Sequence, residues 1–243
     1  MKRDIAQEVL SDADALAHRV ADWLLDLALA AKDRFAVALS GGTTPRATYA
    51  VLVTPFYRER FPWQRTHWFW GDERFVPIED RRSNYRMAWE TMLSRASIPE
   101  ANIHPIPTAN VTPQDAAAQY ERALKTFYGS DRLDPQRPLF DVNLLGLGED
   151  GHFASLFPGS EALDERRHWT AAVVGAQPEP RITLTYPALE SCRHAAFVVS
   201  GAAKSAMLRG LAAGDANLPA GRFDPVGALH IFADEKAAGP GGS

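Results

Sequence analysis

One histidine in this sequence lies close to an aspartate in a loop that follows an apolar run. His152 comes two residues after Asp150, in a glycine-rich stretch behind the apolar residues 140–145. A neutral imidazole can take a proton from water near pH 7, and a neighbouring carboxylate can fix its tautomer. The two residues are therefore either a general base with its orienting acid or a structural part of the loop, and their types alone leave both open.

A second segment has the composition of an anion-binding loop. It consists of Ser40, Gly41, Gly42, Thr43 and Thr44. Paired glycines let successive N–H groups point inward, and a helix starting at Pro45 would add positive potential, which together suit a phosphate. The Gly-Lys-Ser/Thr ending of a Walker A loop is missing, so a nucleoside triphosphate is not implied. The alternative is a tight turn with a hydroxyl cap.

Two cationic residues follow other apolar runs in the same way. Arg74 comes after Gly71, and Lys204 comes after Gly201. A single arginine or lysine is usually a solvated surface charge. Two of them beside a phosphate loop would instead form an anion site, provided that the fold brings these segments together.

The order of the predicted elements indicates how this could happen. Strands are predicted at 35–39, 66–70, 140–145, 182–186, 195–199 and 228–233, and helices at 11–32, 45–52, 83–95, 113–127 and 203–211. This alternation favours an α/β fold with a mainly parallel open sheet and helices on both faces. The carboxyl ends of parallel strands share one edge, where ligands bind, so we expect the four polar loops to meet there.

Composition limits the class of protein. The chain has 243 residues, with 46% hydrophobic and 23% charged residues, which indicates one globular domain over residues 1–238. Its net charge of −4 argues against nucleic-acid binding, and Cys192, the one cysteine, excludes an intrachain disulfide. No signal peptide and no membrane span are predicted, so a cytoplasmic location is expected. Residues 239–243 have the composition of a flexible linker.

Two catalytic motifs are absent or misleading. Residues 146–151 match the Gly-x-Gly-x-x-Gly pattern of dinucleotide sites, but Pro158 interrupts the helix that should follow. Two acids, Glu149 and Asp150, would also occupy the place of the pyrophosphate. No Gly-x-Ser-x-Gly segment occurs, which argues against a serine hydrolase of the α/β type.

Five ordered segments resemble the 6-phosphogluconolactonase family, the shorter bacterial type within the sugar-phosphate isomerase superfamily. They are residues 146–159, 39–45, 71–74 together with 83–85, 181–189, and 200–204. The resemblance covers nearly the whole chain. It implies hydrolysis of 6-phospho-D-glucono-1,5-lactone to 6-phosphogluconate in the oxidative pentose phosphate pathway, with no organic cofactor and no metal.

The resemblance also implies roles for the residues singled out above. Residues 40–44 would bind the substrate phosphate with Arg74 and Lys204, and His152 would be the base with Asp150 beside it. Three positions depart from the usual family pattern. They are Thr43 in place of serine, Glu149 in place of aspartate, and Phe153 in place of a small polar residue.

Two other functions are considered. An amino-sugar-phosphate deaminase or isomerase of the same superfamily typically carries a glutamate soon after the histidine loop, whereas here the next carboxylate is Glu161. A non-catalytic sugar-phosphate sensor would need a DNA-binding module, and no basic helix-turn-helix segment precedes the first predicted strand.

Overall fold

The computed structural model describes residues 5–239. Its strands are β1 (Ile5–Leu10), β2 (Phe35–Leu39), β3 (Thr66–Trp70), β4 (Asp72–Arg74), β5 (Phe140–Leu145), β6 (Thr170–Val173), β7 (Arg181–Leu184), β8 (Cys192–Val199) and β9 (Ala228–Asp234). Its helices are α1 (Ala13–Ala30), α2 (Thr43–Leu52), α3 (Pro55–Arg60), α4 (Asn84–Thr91), α5 (Pro113–Tyr128), α6 (Tyr186–Glu190), α7 (Ser205–Ala213), α8 (Pro219–Arg222) and α9 (Glu235–Ala238).

Six strands form one open parallel sheet, which confirms the predicted fold class. Their order is β1-β9-β8-β5-β2-β3, and every neighbouring pair is parallel. From β2 the chain moves outward to β3, and it then returns to the other side of β2 to form β5. The loops after β2 and β5 therefore leave the sheet at the point where the strand order reverses, the usual ligand site of such sheets.

Both faces of this sheet are covered. Side chains alternate along a strand, so Phe232 of β9 and Phe197 of β8, which pairs with Ile231, point to opposite faces. Trp23 of α1 packs against the Phe232 ring on one face, while Phe223 packs against Phe197 on the other. The buried apolar residues form one continuous cluster, which agrees with a single-domain fold.

A second, smaller sheet is the main feature that the sequence does not predict. Strands β4, β7 and β6 form it in that order, with antiparallel pairing. Arg74, which was expected in a loop, is the last residue of β4. The predicted strand 182–186 ends at Leu184, because Tyr186 and Pro187 already start α6.

Other boundaries also differ from the predictions. Helix α2 begins at Thr43 rather than Pro45, and the predicted helix 83–95 breaks at Met92 into α4 and a short 3₁₀ turn. Gly239 closes α9, and the other tail residues, 240–243, lie outside the described part of the chain. None of the described helices is long and apolar enough to span a bilayer.

Candidate active site

A cleft of about 310 Å³ opens at the carboxyl ends of β2 and β5. It is lined by Ser40, Gly41, Gly42, Asp72, Arg74, Asn84, Gly146, Leu147, Gly148, His152, Phe153, Ala154, Ser155, Phe157, Gln177, Arg181 and Lys204. Six of the nine residues expected at the site are among them. The other three, Thr43, Thr44 and Asp150, are not part of the wall, although Thr43 follows Gly42 and Asp150 bonds to His152.

The His152 imidazole is held by its own loop. Its Nδ1 lies 2.5 Å from Oδ1 of Asp150, and the backbone N–H of His152 donates to the same oxygen at 3.1 Å. The carbonyl of His152 accepts from the N–H of Gly148 at 2.7 Å, and its ring packs on Phe157 with the centroids 4.5 Å apart. Because Nδ1 is bonded to a carboxylate, Nε2 is the ring nitrogen that is left for a substrate or water.

Gly148 is required by the geometry of this pair. A Cβ at residue 148 would lie 2.1 Å from Nδ1 of His152 and 2.6 Å from Oδ1 of Asp150. Partial burial acts to raise the pKa of Asp150, but the hydrogen bonds from His152 outweigh it and leave that pKa below its ordinary value. Asp150 is therefore a carboxylate at neutral pH, able to hold the imidazole in one tautomer.

Another part of the cleft wall leads into α2. Gly42 precedes the helix with φ +102°, a conformation that favours glycine, and no side chain caps this helix end. The hydroxyl of the buried Tyr49 bonds both the N–H and the carbonyl of Ser40, which fixes where β2 ends. The cleft therefore meets an uncapped helix N-terminus, a favourable environment for an anion.

Two arginines face each other on the side of the cleft. Arg74 and Arg181 are directly opposite in the antiparallel pairing of β4 and β7, and both line the cleft. The Nε of each is buried without a hydrogen-bond partner in the described chain. Burial and the neighbouring Arg74 charge lower the pKa of Arg181. Like charges directly opposite each other are unfavourable, and the carboxylates of Asp72, Glu179 and Glu73 act against this repulsion.

Arg181 is a candidate site residue that the motif analysis did not single out. In the sequence, Arg181 belongs only to a segment, residues 181–189, that carries the family resemblance. The strand pairing that places it opposite Arg74 is not visible in the sequence. The sequence feature that indicates Arg181 is a cation at the first position of a strand that is mostly apolar.

Lys204 reaches the cleft from the loop after β8. Its Nζ lies 3.6 Å from a carboxylate oxygen of the exposed Glu149, so an ion pair joins this loop to the His152 loop. The buried carboxylate of Asp234 accepts from the hydroxyl of Ser200 at 2.6 Å and from the N–H of Gly201 at 3.0 Å. Asp234 thereby fixes the loop that carries Lys204.

Two acids next to Arg74 have structural partners. The carboxylate of Glu73 accepts from the N–H groups of Asn84 and Tyr85, which caps α4, and from the hydroxyl of Ser83. Asp72 accepts from the hydroxyl of Ser155 at 2.7 Å.

Asn84 lies between these acids and the loop after β2. Its amide nitrogen donates to the carbonyl of Asp72 at 2.9 Å. Its Oδ1, a buried acceptor without a partner in the described chain, would be 2.0 Å from a Cβ at Gly41. This close approach explains the first glycine of the pair.

Phe153 does not fill the cleft, although it departs from the family pattern. Its ring is 1% exposed and packs against Tyr186, Phe197 and Phe223 in the core. The aromatic side chain therefore anchors the histidine loop to the sheet. The next residue, Ala154, has φ +48°, an uncommon value for a residue with a side chain.

Among residues 5–239, no three His, Cys, Asp or Glu side chains are arranged to hold a metal ion. The cleft contains the imidazole of the His152–Asp150 pair and the cations Arg74, Arg181 and Lys204.

Comparison with known proteins gives the family. Residues 11–231 match the model of glucosamine-6-phosphate isomerases/6-phosphogluconolactonase. A 6-phosphogluconolactonase of Nostoc sp. is 40% identical over 98% of both chains. The structure of 6-phosphogluconolactonase from Trypanosoma cruzi superposes with a TM-score of 0.85 at 26% identity, covering 98% of this chain and 97% of that one.

A solved monomeric glucosamine-6-phosphate deaminase has nearly the same fold. Its TM-score is 0.80 at 18% identity, with 96% of this chain and 98% of that chain covered. The fold alone therefore does not separate the lactonases from the deaminases. The family resemblance predicted from the sequence is confirmed, and the chain belongs to the glucosamine-6-phosphate isomerase/6-phosphogluconolactonase family.

Proposed function

We propose that this protein hydrolyses 6-phospho-D-glucono-1,5-lactone to 6-phosphogluconate, a step of the oxidative pentose phosphate pathway. The observation that carries the proposal is a single cleft that holds the His152 imidazole and three cations, Arg74, Arg181 and Lys204. The 40% identity to a 6-phosphogluconolactonase over nearly the full length supports the same activity.

The phosphate of the substrate is assigned to the cationic side of the cleft. There the N–H groups at the start of α2 and the guanidinium groups of Arg74 and Arg181 present unpaired donors, and Lys204 adds a third charge. Charge-assisted hydrogen bonds to arginine suit a phosphate. Binding at this end places the lactone ring across the cleft, with its carbonyl carbon towards His152.

The chemistry then uses both ring nitrogens of His152. The Nδ1–H group donates a hydrogen bond to the Asp150 carboxylate, so Nε2 carries a lone pair and takes a proton from water. The water oxygen bonds to the lactone carbonyl carbon to give a tetrahedral intermediate. When the bond from this carbon to the ring oxygen breaks, the imidazolium returns the proton to that oxygen, leaving an open-chain acid.

Three N–H groups of the histidine loop are not available to stabilise the oxyanion. The N–H groups of Gly148, Gly151 and His152 already donate within that loop, to the His152 carbonyl, the Gly148 carbonyl and Asp150 respectively. The oxyanion is therefore assigned to other donors that line the cleft.

The wall of the cleft favours a lactonase over a deaminase. Asp72 is the one carboxylate among the described residues that line it, and its oxygens are bonded by Ser155 and approached by Asn84. Neither Glu149 nor Glu161 lines the cleft. The extra glutamate that the resemblance associates with amino-sugar chemistry is therefore not provided.

The deciding experiment compares the two substrates. Freshly prepared lactone is incubated with the protein, and 6-phosphogluconate is measured by a coupled dehydrogenase after subtraction of the spontaneous rate. Glucosamine 6-phosphate is tested in parallel for release of ammonia. We expect accelerated lactone hydrolysis and no ammonia, and a lactone rate equal to the blank would refute the proposal.

A further inference from the structure

The loop between β6 and β7 contributes one uncommitted side chain to the cleft. Gln177 lines the cleft, and no hydrogen bond to its amide is found within residues 5–239. By contrast, the other uncharged polar side chains of the wall bond to the protein: Ser40 to the Gly41 carbonyl, Asn84 to the Asp72 carbonyl, and Ser155 to the Asp72 carboxylate. The Gln177 amide carries both donors and an acceptor, which matches a hydroxyl group.

The loop that carries Gln177 is tied to the rim of the cleft at its far end. The N–H of Phe75 donates to the carbonyl of Pro180 at 2.8 Å, and the Glu179 carboxylate pairs with the Arg82 guanidinium. Asp80 holds the same guanidinium at 2.7 Å. These contacts fix a segment that no regular secondary structure supports.

Arg82 also connects this loop to the phosphate end of the cleft. Its carbonyl oxygen accepts from Nη1 of Arg74 at 2.6 Å, while its guanidinium holds Glu179. The position of Gln177 and the position of a phosphate-binding cation therefore depend on one residue outside the cleft.

We propose that Gln177 recognises a ring hydroxyl of the sugar lactone, and that the Arg82–Glu179 ion pair positions it for this. The inference rests on the proposed function, because it assumes that the substrate phosphate binds to the cations and that the carbonyl carbon lies next to His152. The ring hydroxyls then lie between these two ends of the cleft, and the Gln177 amide is a free hydrogen-bonding group of its lining. A site that bonds a substrate hydroxyl discriminates against the analogue that lacks it.

The first test replaces Gln177 by alanine and uses a series of lactones, each lacking one ring hydroxyl. We expect kcat/KM for the full lactone to fall about three- to tenfold, the size of one neutral hydrogen bond. For the analogue without the recognised hydroxyl, the wild type and Gln177→Ala should be equal. Val174→Ala, an exposed change on the same loop, is the matched control. An equal loss on every analogue, or no loss on any, overturns the role of Gln177.

The second test asks whether the ion pair acts through Gln177. Glu179→Gln should lower kcat/KM in the wild type and have no further effect in the Gln177→Ala background. Because Asp80 still holds the Arg82 guanidinium, the binding of inorganic phosphate should change neither in Glu179→Gln nor in Gln177→Ala. Equal losses in both backgrounds overturn the positioning role.

Calorimetric titration with 6-phosphogluconate separates this inference from the proposed function. The open-chain product retains hydroxyls, so Gln177→Ala should bind it more weakly while binding inorganic phosphate as before. If the protein does not hydrolyse the lactone, the proposed function fails, and this titration still decides whether Gln177 binds a hydroxylated sugar acid. If the lactone is hydrolysed but Gln177→Ala binds the product as tightly as the wild type, the inference alone fails.

Discussion

At the scale of single residues, the site works because few of its polar groups are left free. Asp150 occupies Nδ1 of His152, and Tyr49 occupies both backbone groups of Ser40. Among the groups that remain are Nε2 of His152, the buried Nε atoms of Arg74 and Arg181, and the amide of Gln177. The proposed proton acceptor and the proposed phosphate-binding groups therefore lie in one cleft before any substrate binds.

Replacing His152 by alanine removes the proposed base. We expect kcat to fall by about 10²–10⁴, the usual contribution of general-base catalysis. The phosphate contacts do not involve this residue, so the dissociation constant of 6-phosphogluconate should change little. Both quantities are measured, by the coupled assay and by calorimetry, and an unchanged kcat would remove His152 from the mechanism.

Replacing Gly148 by alanine should have nearly the same effect without touching a catalytic group. The new Cβ would overlap the His152–Asp150 pair, so the imidazole must leave its position. We expect kcat to approach that of His152→Ala in the coupled assay. The control is Gly71→Ala, whose Cβ would meet the Leu39 carbonyl at an ordinary 3.5 Å. If Gly148→Ala keeps normal turnover, the observed pair is not the active arrangement.

Replacing Arg181 by alanine should weaken substrate binding and leave the proton transfer intact. The loss of a charge-assisted contact corresponds to about 1.5–3 kcal/mol, or roughly ten- to a hundredfold in KM. Arg193→Ala, which removes an exposed arginine paired with Asp141 away from the cleft, serves as the control. An unaltered KM for Arg181→Ala would place the phosphate elsewhere.

At the scale of elements, buried carboxylates hold the ends of helices and loops in position. Glu73 caps α4, and Asp234 caps α9 through the N–H of Ala237 while it also holds the Ser200–Gly201 turn. Glu73 is the residue before Arg74, and Asp234 holds the turn before Lys204. Neither acid lines the cleft, so each supports the position of a cation without facing the ligand.

Asp234→Asn tests this support. Burial acts to raise the pKa of Asp234, but the bonds from Ser200, Gly201 and Ala237 lower it below 3.8. The stability that the carboxylate adds is therefore fully present above pH 3.8 and is lost as pH falls through the lowered value. We expect the variant to be about 1–3 kcal/mol less stable at pH 7.

Urea unfolding at pH 7 and near pH 3 measures this difference. The gap between the wild type and Asp234→Asn should narrow at the lower pH. A constant gap would mean that the ionised form of Asp234 does not carry the effect.

The elements that the sequence predicts well are the buried strands. β2, β3 and β5 are short apolar runs between turns, and their predicted bounds agree with the structure. β1 was missed because it is an edge strand with polar residues and no fully buried position. β4 has only three residues, and its antiparallel partner lies more than a hundred residues later, so local patterns cannot reveal it.

The same limit applies to the candidate site. His152, Lys204 and the loop after β2 follow strands of one parallel sheet, so their meeting could be predicted from strand order alone. Arg181 and Gln177 belong to the small antiparallel sheet and its loop, whose position depends on packing against the larger sheet.

At the scale of the whole molecule, two pairs of histidines are packed into opposite halves of the large sheet. Nδ1 of His67 lies 3.1 Å from Nε2 of His104, and Nδ1 of His194 lies 3.3 Å from Nε2 of His230. Burial lowers the pKa of all four, to about 4 for His104. Two neutral imidazole rings can form an N–H···N hydrogen bond at this distance, whereas two charged rings would repel each other.

These pairs predict how stability depends on pH. Each lowered pKa contributes stability that is present above the ordinary value of 6.5 and is lost as pH falls through the folded value. The free energy of unfolding should therefore decrease between pH 6.5 and about 4. His104→Asn should reduce this slope in urea unfolding experiments, and the exposed His18→Asn should not. A slope unchanged in His104→Asn would exclude this pair as its source.

The facing arginines of β4 and β7 have a consequence for the handling of the protein. If the cleft binds phosphate as proposed, the bound anion relieves their repulsion, and occupancy of the cleft favours the native state by mass action. Inorganic phosphate in the buffer should raise the melting temperature in proportion to the logarithm of its concentration once the cleft approaches saturation. A chloride buffer of equal ionic strength should leave the melting temperature unchanged. The choice of buffer anion would then determine how far the protein can be heated before it unfolds.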